Sequence, residues 1–374
     1  MASSELKKTG KEYRKDEHDH LSDYLCVDRF LPDMLHARAL STAFESGLVD
    51  ALVKARRVAV ESLTAANNIS SRGMRLLLTI LRENRVIEEH DGVIALTEEF
   101  VHALAYRDIL ELKSSMAHLA AHDLLDYFED FVFNPDRFTQ RARYFRLFAY
   151  NKCFTRSPEN ETAAKRWMRF TTTLTRYEAP VCLKYHDFSK YGKILDVGGN
   201  SGEFALQICR TYPEIHATVF DLPLVCDIGM EHVKNQPGGD RVTFVKGNAL
   251  LDEFPGQYDL ITFKSMLHDW PEREAAGFLA KADRALAPGG TLLIFERGTM
   301  ESIQDGLPYA MIPLLLFFHS FRLPEIYEEH LKKLGFDEIQ ITFIELDMPF
   351  FLLIAKKKND ETAPRQLESE KRSS

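Results

Sequence analysis

Apolar residues recur along this chain first at helical spacing and then at strand spacing. In "LHARALSTAFESGLVDALV", Leu35, Ala39, Ala43, Phe44 and Leu48 fall on one face of an amphipathic helix. "VESLTAAN" predicts a short second helix. Ser70 or Ser71 predicts the cap of a third, "RGMRLLLTILREN". "RVIEE" and "VIALT" then flank "HDG", the pattern of a hairpin turning at Asp91-Gly92. Three helices and a two-stranded wing make a winged helix. The pattern stays helical with polar-aromatic faces from about Tyr106, as in "RYFRLFAYNKCF". From Tyr191 short apolar runs alternate with helical segments: "KILDV", "ATVFD", "VTFVKG", "DLITFK", "TLLIFE". That alternation predicts a doubly wound parallel α/β sheet. "DEIQITFIEL" and "PFFLLIAKK" close the chain as a hairpin, giving seven strands with an antiparallel edge.

The expected divisions are a disordered tail at 1–20, a winged-helix domain at 21–105 and a helical linker and pocket region at 106–190. A catalytic domain at 191–357 and a second disordered tail at 358–374 complete them.

Composition narrows the function classes. The net charge of −9 weighs against nucleic acid or an anionic membrane as partner. Arg72, Arg75, Arg82 and Arg85 give the third helix basic character, so a DNA-binding regulator stays as a competing reading. Leu76, Leu77, Ile80 and Leu81 leave that helix little polar face. The five cysteines are scattered without metal spacing, so no metal site is expected and free thiols in a cytoplasm fit best. The longest apolar run, "MIPLLLFF", is too short to span a bilayer.

The chemistry-bearing residues gather at strand ends. "LDVGGNSGEF" places Asp196, Gly198, Gly199 and Gly202 between the first parallel strand and its helix. Glycines there allow close approach of the backbone to a ligand, although a tight turn alone would use them too. Asp221 ends the second strand, where a carboxylate accepts from ribose hydroxyls; alone it reads equally as a helix cap. Asn248 ends the third strand, where an amide could read an adenine edge. Lys264 ends the fourth, and alone it reads as a surface charge. Ligands of open α/β sheets bind at these carboxyl ends.

"DVGGNSG", "FDLP", "LHDWPE", "LAPGGTLLIFE" and "LKKLGF" occur in the order and spacing of the small-molecule O-methyltransferases that use S-adenosylmethionine. The chain resembles that family, which includes the caffeic acid and hydroxyindole types, from roughly Leu35 to Lys356. The resemblance implies a winged helix used for homodimerisation. It implies that Asp196, Gly198, Gly199 and Gly202 surround the methionine end of the cofactor. Asp221 and Leu222 would lie at its ribose, Asn248 and Ala249 at its adenine, and Lys264 would also touch it. Where the family has Gly, this chain has Asn200, which tolerates left-handed backbone. Where the family has Asp-Met, it has Asn248-Ala249.

His268, in "SMLHDWPERE", sits where the fourth strand hands over to a helix. Asp269, Pro271 and Glu272 read as a capping box starting that helix. The resemblance implies that His268 is a general base and Glu296, ending the fifth strand, its orienter. The family's second orienting glutamate falls at Phe321. Met311, Leu315, Phe318 and Phe321 suggest a pocket for an apolar aromatic acceptor, and read equally as core. The expected activity is methyl transfer to a phenolic or enolic hydroxyl of a small natural-product molecule. Nitrogen or carbon methylation, and a non-methylating pericyclase-like reaction on the same scaffold, remain alternatives.

Overall fold

The computed structural model describes residues 13–14, 20–66, 70–148, 150–300 and 307–358. The remainder of both expected tails lies outside the described residues. Within the first tail, Tyr13–Arg14 form a strand, β1, so that tail is not wholly disordered.

The first helical pattern is two helices, Met34–Glu45 and Leu48–Ala55, broken at Gly47 with φ +73°. Leu35, in the first turn of the first of these helices, is exposed rather than on the buried face. Ser70 caps the helix Ser71–Glu83 by accepting from the Gly73 N–H at 3.0 Å. A strand the pattern had not predicted, β2 (Val58–Ala59), joins the expected hairpin of β3 (Ile87–His90) and β4 (Val93–Leu96). His90 pairs with Val93 across Asp91 and Gly92, both at positive φ, as a two-residue turn requires.

The large sheet holds β5 (Lys193–Val197), β6 (His216–Asp221), β7 (Val242–Lys246), β8 (Tyr258–Lys264), β9 (Leu286–Arg297), β10 (Phe336–Glu345) and β11 (Pro349–Lys357). Its order is β1-β10-β11-β9-β8-β5-β6-β7. β5 to β9 run parallel, and β11 pairs antiparallel with both β9 and β10. These are the seven expected strands; β1 adds a short eighth, parallel to β10. The strand order reverses at β5, which pairs with β6 on one side and β8 on the other. A crevice opens at such a switch point.

Both faces of the sheet are covered, so its strands are continuous apolar runs. Leu293 and Phe295 join the core that holds Ala179, Cys182 and Phe204. Leu292 and Ile294 join the opposite core, with Ala275, Phe278 and Leu331. This alternation decides where the next two residues point. Glu296 continues the second face and meets the turn after β8. Arg297 continues the first and meets the long helix Pro158–Tyr185.

Candidate active site

One cavity of about 380 Å³ lies over the carboxyl ends of β5, β6 and β8. At one end the turn after β5 forms its floor. Gly198 has φ +67°, and a Cβ there would fall 2.6 Å from the Met266 side chain. Asn200 holds φ +57°, as expected of a residue that tolerates left-handed backbone. The Asp221 carboxylate accepts from the Asn200 N–H at 2.8 Å and the Leu222 N–H at 2.7 Å, tying two turns together. Burial pushes its pKa up to about 6, against the pull of those two amides. Burial pushes Asp196 further, to about 7, although Thr262 donates to its Oδ1 at 2.8 Å. Its other oxygen, Oδ2, is buried without a partner among the described residues.

Asn248, Ala249 and Leu250 form the wall past β7. The Asn248 Oδ1 accepts from the Leu250 N–H at 3.0 Å in a local turn. The acceptor expected to read adenine is therefore already engaged. The Lys281 ammonium holds this loop by donating to the carbonyls of Ala249, Leu250 and Asp252.

Lys264 lines the same cavity, and it is paired: its ammonium donates to Glu178 and, at 3.0 Å, to Thr175. The other Glu178 oxygen accepts from Arg297. Burial opposes the Glu178 charge, but Arg297 and Lys264 outweigh it and hold the pKa at about 2. Sequence reasoning missed this buried triad. Its signal was a lone glutamate on the face shared by Leu174, Val181 and Cys182.

At the other end stands His268. Its Nδ1 donates to Glu296 Oε2 at 2.6 Å, while Glu296 Oε1 accepts from the N–H groups of Met266 and Leu267 at 2.7 and 2.8 Å. In the neutral ring this leaves Nε2 as the unprotonated nitrogen. Nε2 lies 3.5 Å from Asp269 Oδ1. Burial works against the imidazolium, but Glu296 and Asp269 outweigh it and raise the His268 pKa above its ordinary value. Glu296 is held below its own ordinary value: burial opposes the charge and His268 outweighs it.

Asp269 does not form the expected capping box. The helix Glu272–Ala285 starts after Pro271 with no side-chain cap. Asp269 lies in a 3₁₀ turn, Leu267–Asp269, and its Oδ2 accepts from the Tyr150 hydroxyl at 2.8 Å.

Aromatic rings close the cavity around His268. Tyr144, Phe148, Trp167 and Phe170 come from the helical middle region, Phe317 and Phe321 from the segment after β9. Phe321 lies 5.2 Å from the imidazole and Phe317 5.6 Å, nearly perpendicular. Of the four pocket residues expected, only Phe321 lines the cavity. The helix Ile312–Leu315 ends after one turn, so helical spacing does not carry onward and Leu314 and Phe317 face inward instead. Met311 is buried in the core, Leu315 packs against the Met116–Phe131 cluster, and Phe318 is exposed.

The sequence profile of the O-methyltransferase domain matches residues 134–337, more than half of the chain. The chain belongs to this family. It is a methyltransferase with a mixed α/β fold of the class I kind. It is similar to the 3-hydroxy-5-methyl-1-naphthoate 3-O-methyltransferase of Streptomyces sahachiroi, 28% identical over 272 residues, which are 69% of this chain and 73% of the relative. It is also similar to the L-tyrosine C(3)-methyltransferase of Streptomyces lavendulae, 24% identical over 83% of this chain and 85% of the relative. The solved structure of human N-acetylserotonin methyltransferase in complex with S-adenosylmethionine superposes with a TM-score of 0.60. Its identity is 20%, covering 92% of this methyltransferase and all of that chain. No described helix of this family member is long and apolar enough to cross a membrane.

Proposed function

We propose that this methyltransferase moves a methyl group from S-adenosylmethionine to a phenolic or enolic hydroxyl of a small, largely apolar aromatic molecule. The single observation that carries the reading is the His268–Glu296 contact at the aromatic end of the cavity that Asp196 and Asp221 also line.

The cofactor end fits the donor. A buried carboxylate oxygen of Asp196 without a partner suits the ammonium of a methionine moiety. Asp221, at the end of β6, suits ribose hydroxyls, and Leu222, Gly199, Gly202, Asn248, Ala249 and Lys264 complete the surroundings. When bound, S-adenosylmethionine supplies a methyl group already activated by its sulfonium. The protein then has two tasks, to align the acceptor and to take its proton.

His268 does the second. Glu296 fixes the tautomer that leaves Nε2 unprotonated toward the cavity. A phenol has a pKa of about 10 and an ordinary histidine about 6.5, so prior deprotonation costs about 5 kcal/mol. The two carboxylates beside His268 raise its basicity and narrow that gap. A simple alcohol stays out of reach. Carbon or nitrogen methylation is the second reading, favoured by Phe321, an aromatic ring where the resemblance places a second carboxylate.

We extend the reading to a homodimer formed through the N-terminal helices, whose exposed Met34, Leu35, Val53 and Leu76 suit a partner surface. Five free cysteines suit a cytoplasmic location, with neither nucleic acid nor membrane as partner. A screen of phenols with methyl-labelled S-adenosylmethionine tests the activity. Labelled product with the parental chain and none with His268→Ala is expected; equal labelling by both would refute the base.

A further inference from the structure

A base works only if its ring is held. Local support for the segment carrying His268 is a single 3₁₀ turn, in which the Asp269 and Trp270 N–H groups donate to the Met266 and Leu267 carbonyls at 3.2 and 3.3 Å. Ser265 enters the turn with φ +49°, a left-handed conformation for a residue with a side chain. The following helix starts without a side-chain cap, and Asp269 is turned toward Tyr150. Further support comes from two distant segments. On the entry side Glu296 takes the N–H groups of Met266 and Leu267. On the exit side Arg322 donates from Nη1 to the Leu267 carbonyl at 3.1 Å and from Nη2 to the Trp270 carbonyl. Those two carbonyls bracket His268 and Asp269. Arg322 Nη1 also lies 3.4 Å from the hydroxyl of Tyr327, which is buried against Phe351 and backs the guanidinium from the far side.

We infer that Arg322 is a positioning residue for His268: its guanidinium fork clamps the Leu267 and Trp270 carbonyls and keeps the imidazole seated on Glu296. The inference rests on the reading of His268 as the base. A planar fork reaches two carbonyls at fixed separation, which a lysine ammonium on a flexible stem does not reproduce. The dipeptide Phe321-Arg322 then serves the site twice. Phe321 covers the imidazole and Arg322 fixes the backbone beneath it. Among the described residues Glu296 is the hydrogen-bond partner of Nδ1, so a slack turn would be felt at once in that contact.

The test is a pH titration of the full-length protein, saturated with S-adenosylhomocysteine and labelled with ¹⁵N-histidine. The His268 signal is identified by its loss in His268→Ala. Loosening the turn weakens the contact with Glu296 that favours the imidazolium. In Arg322→Lys and Arg322→Ala the His268 midpoint should therefore fall, by about 0.5–1 pH unit. S-adenosylhomocysteine affinity should stay within about twofold, and added guanidinium should restore the midpoint in Arg322→Ala. If Arg322→Ala does not fold, Arg322→Lys, which keeps the charge, carries the test. An unchanged midpoint overturns the clamp. So does a fall matched by an about tenfold loss of affinity in both variants, which marks general disruption. A lowered midpoint together with a fully active His268→Ala would support the clamp and refute the base, so the two failures are distinguishable.

Discussion

The two ends of the cavity are built by different rules. The cofactor end is made of backbone turns, each following its own parallel strand, with the polar residues Asp196, Asp221 and Asn248 at the strand ends. The acceptor end is made mostly of aromatic side chains from helices and turns, drawn from Tyr144 to Phe321. His268 and Glu296 stand on the acceptor side of the boundary between them, 28 residues apart in sequence and joined because β8 and β9 are neighbours. A turn fixed by glycines and strand geometry can hold one ligand shape. A wall of aromatic rings on helices and turns can change its ligand without disturbing the sheet. On this account substitutions at the two ends should separate binding of the donor from choice of the acceptor.

The largest effect is expected where the ends meet. His268→Ala should lower turnover by about 100-fold or more, as for loss of a general base, with donor affinity nearly intact. Glu296→Gln should cost nearly as much if, as proposed, the pair acts as one unit. A double variant whose loss equals the sum of both in free energy would break the pair apart. Their pH profiles sharpen the point. Glu296 raises the His268 pKa, and the base works unprotonated, so parental activity should fall as pH drops through a value above about 6.5. Without that carboxylate the acidic limb should move to lower pH.

Next in size is the cofactor end. Asp221→Ala should weaken donor binding by about 1–3 kcal/mol, measured by calorimetry, with turnover at saturating donor little changed. Burial pushes the pKa values of Asp196 and Asp221 up to about 7 and 6, and in the proposed site both would ionise to receive the donor. Donor affinity should therefore rise with pH from 5 and level off above 7. Asp196→Asn should flatten the upper part of that rise. A flat parental profile would remove both carboxylates from the cofactor site.

Smaller still is the acceptor end. Phe317→Ala should raise the Michaelis constant of an aromatic acceptor by about 3–10-fold through lost apolar burial, leaving donor affinity unchanged. Phe318→Ala, at an exposed ring one residue away, should change neither. A reversed ranking would put the acceptor elsewhere.

The same division explains what the sequence made legible. The seven strands β5 to β11, the glycine turn and the β3–β4 hairpin were readable because each is a local pattern, whereas the two-residue strands β1 and β2 were not. The roles expected of His268 and Glu296 came from the family resemblance, and their contact follows from the neighbouring ends of β8 and β9. The misreadings are long-range. Nothing near Asp269 says that Tyr150, 119 residues earlier, takes its carboxylate. The single helix expected from Leu35 to Leu48 is split by the left-handed backbone of Gly47, and Leu35, in the first turn, is exposed. The Leu314, Phe317, Phe321 wall follows from where a one-turn helix stops, which periodicity alone does not give. Glu178 and Arg297, also 119 residues apart, meet because β9 alternates its faces at Glu296.

The central claim is that one cavity passes a methyl group from its sheet end to an oxygen at its aromatic end. The most direct measurement is the product mass and ¹³C spectrum after incubating the full-length protein with ¹³C-methyl S-adenosylmethionine and a panel of phenols and naphthols. The account predicts a product heavier by one labelled methyl group, with the label at an aryl ether shift. A label on carbon or nitrogen, or an acceptor transformed with no gain of label, would contradict it.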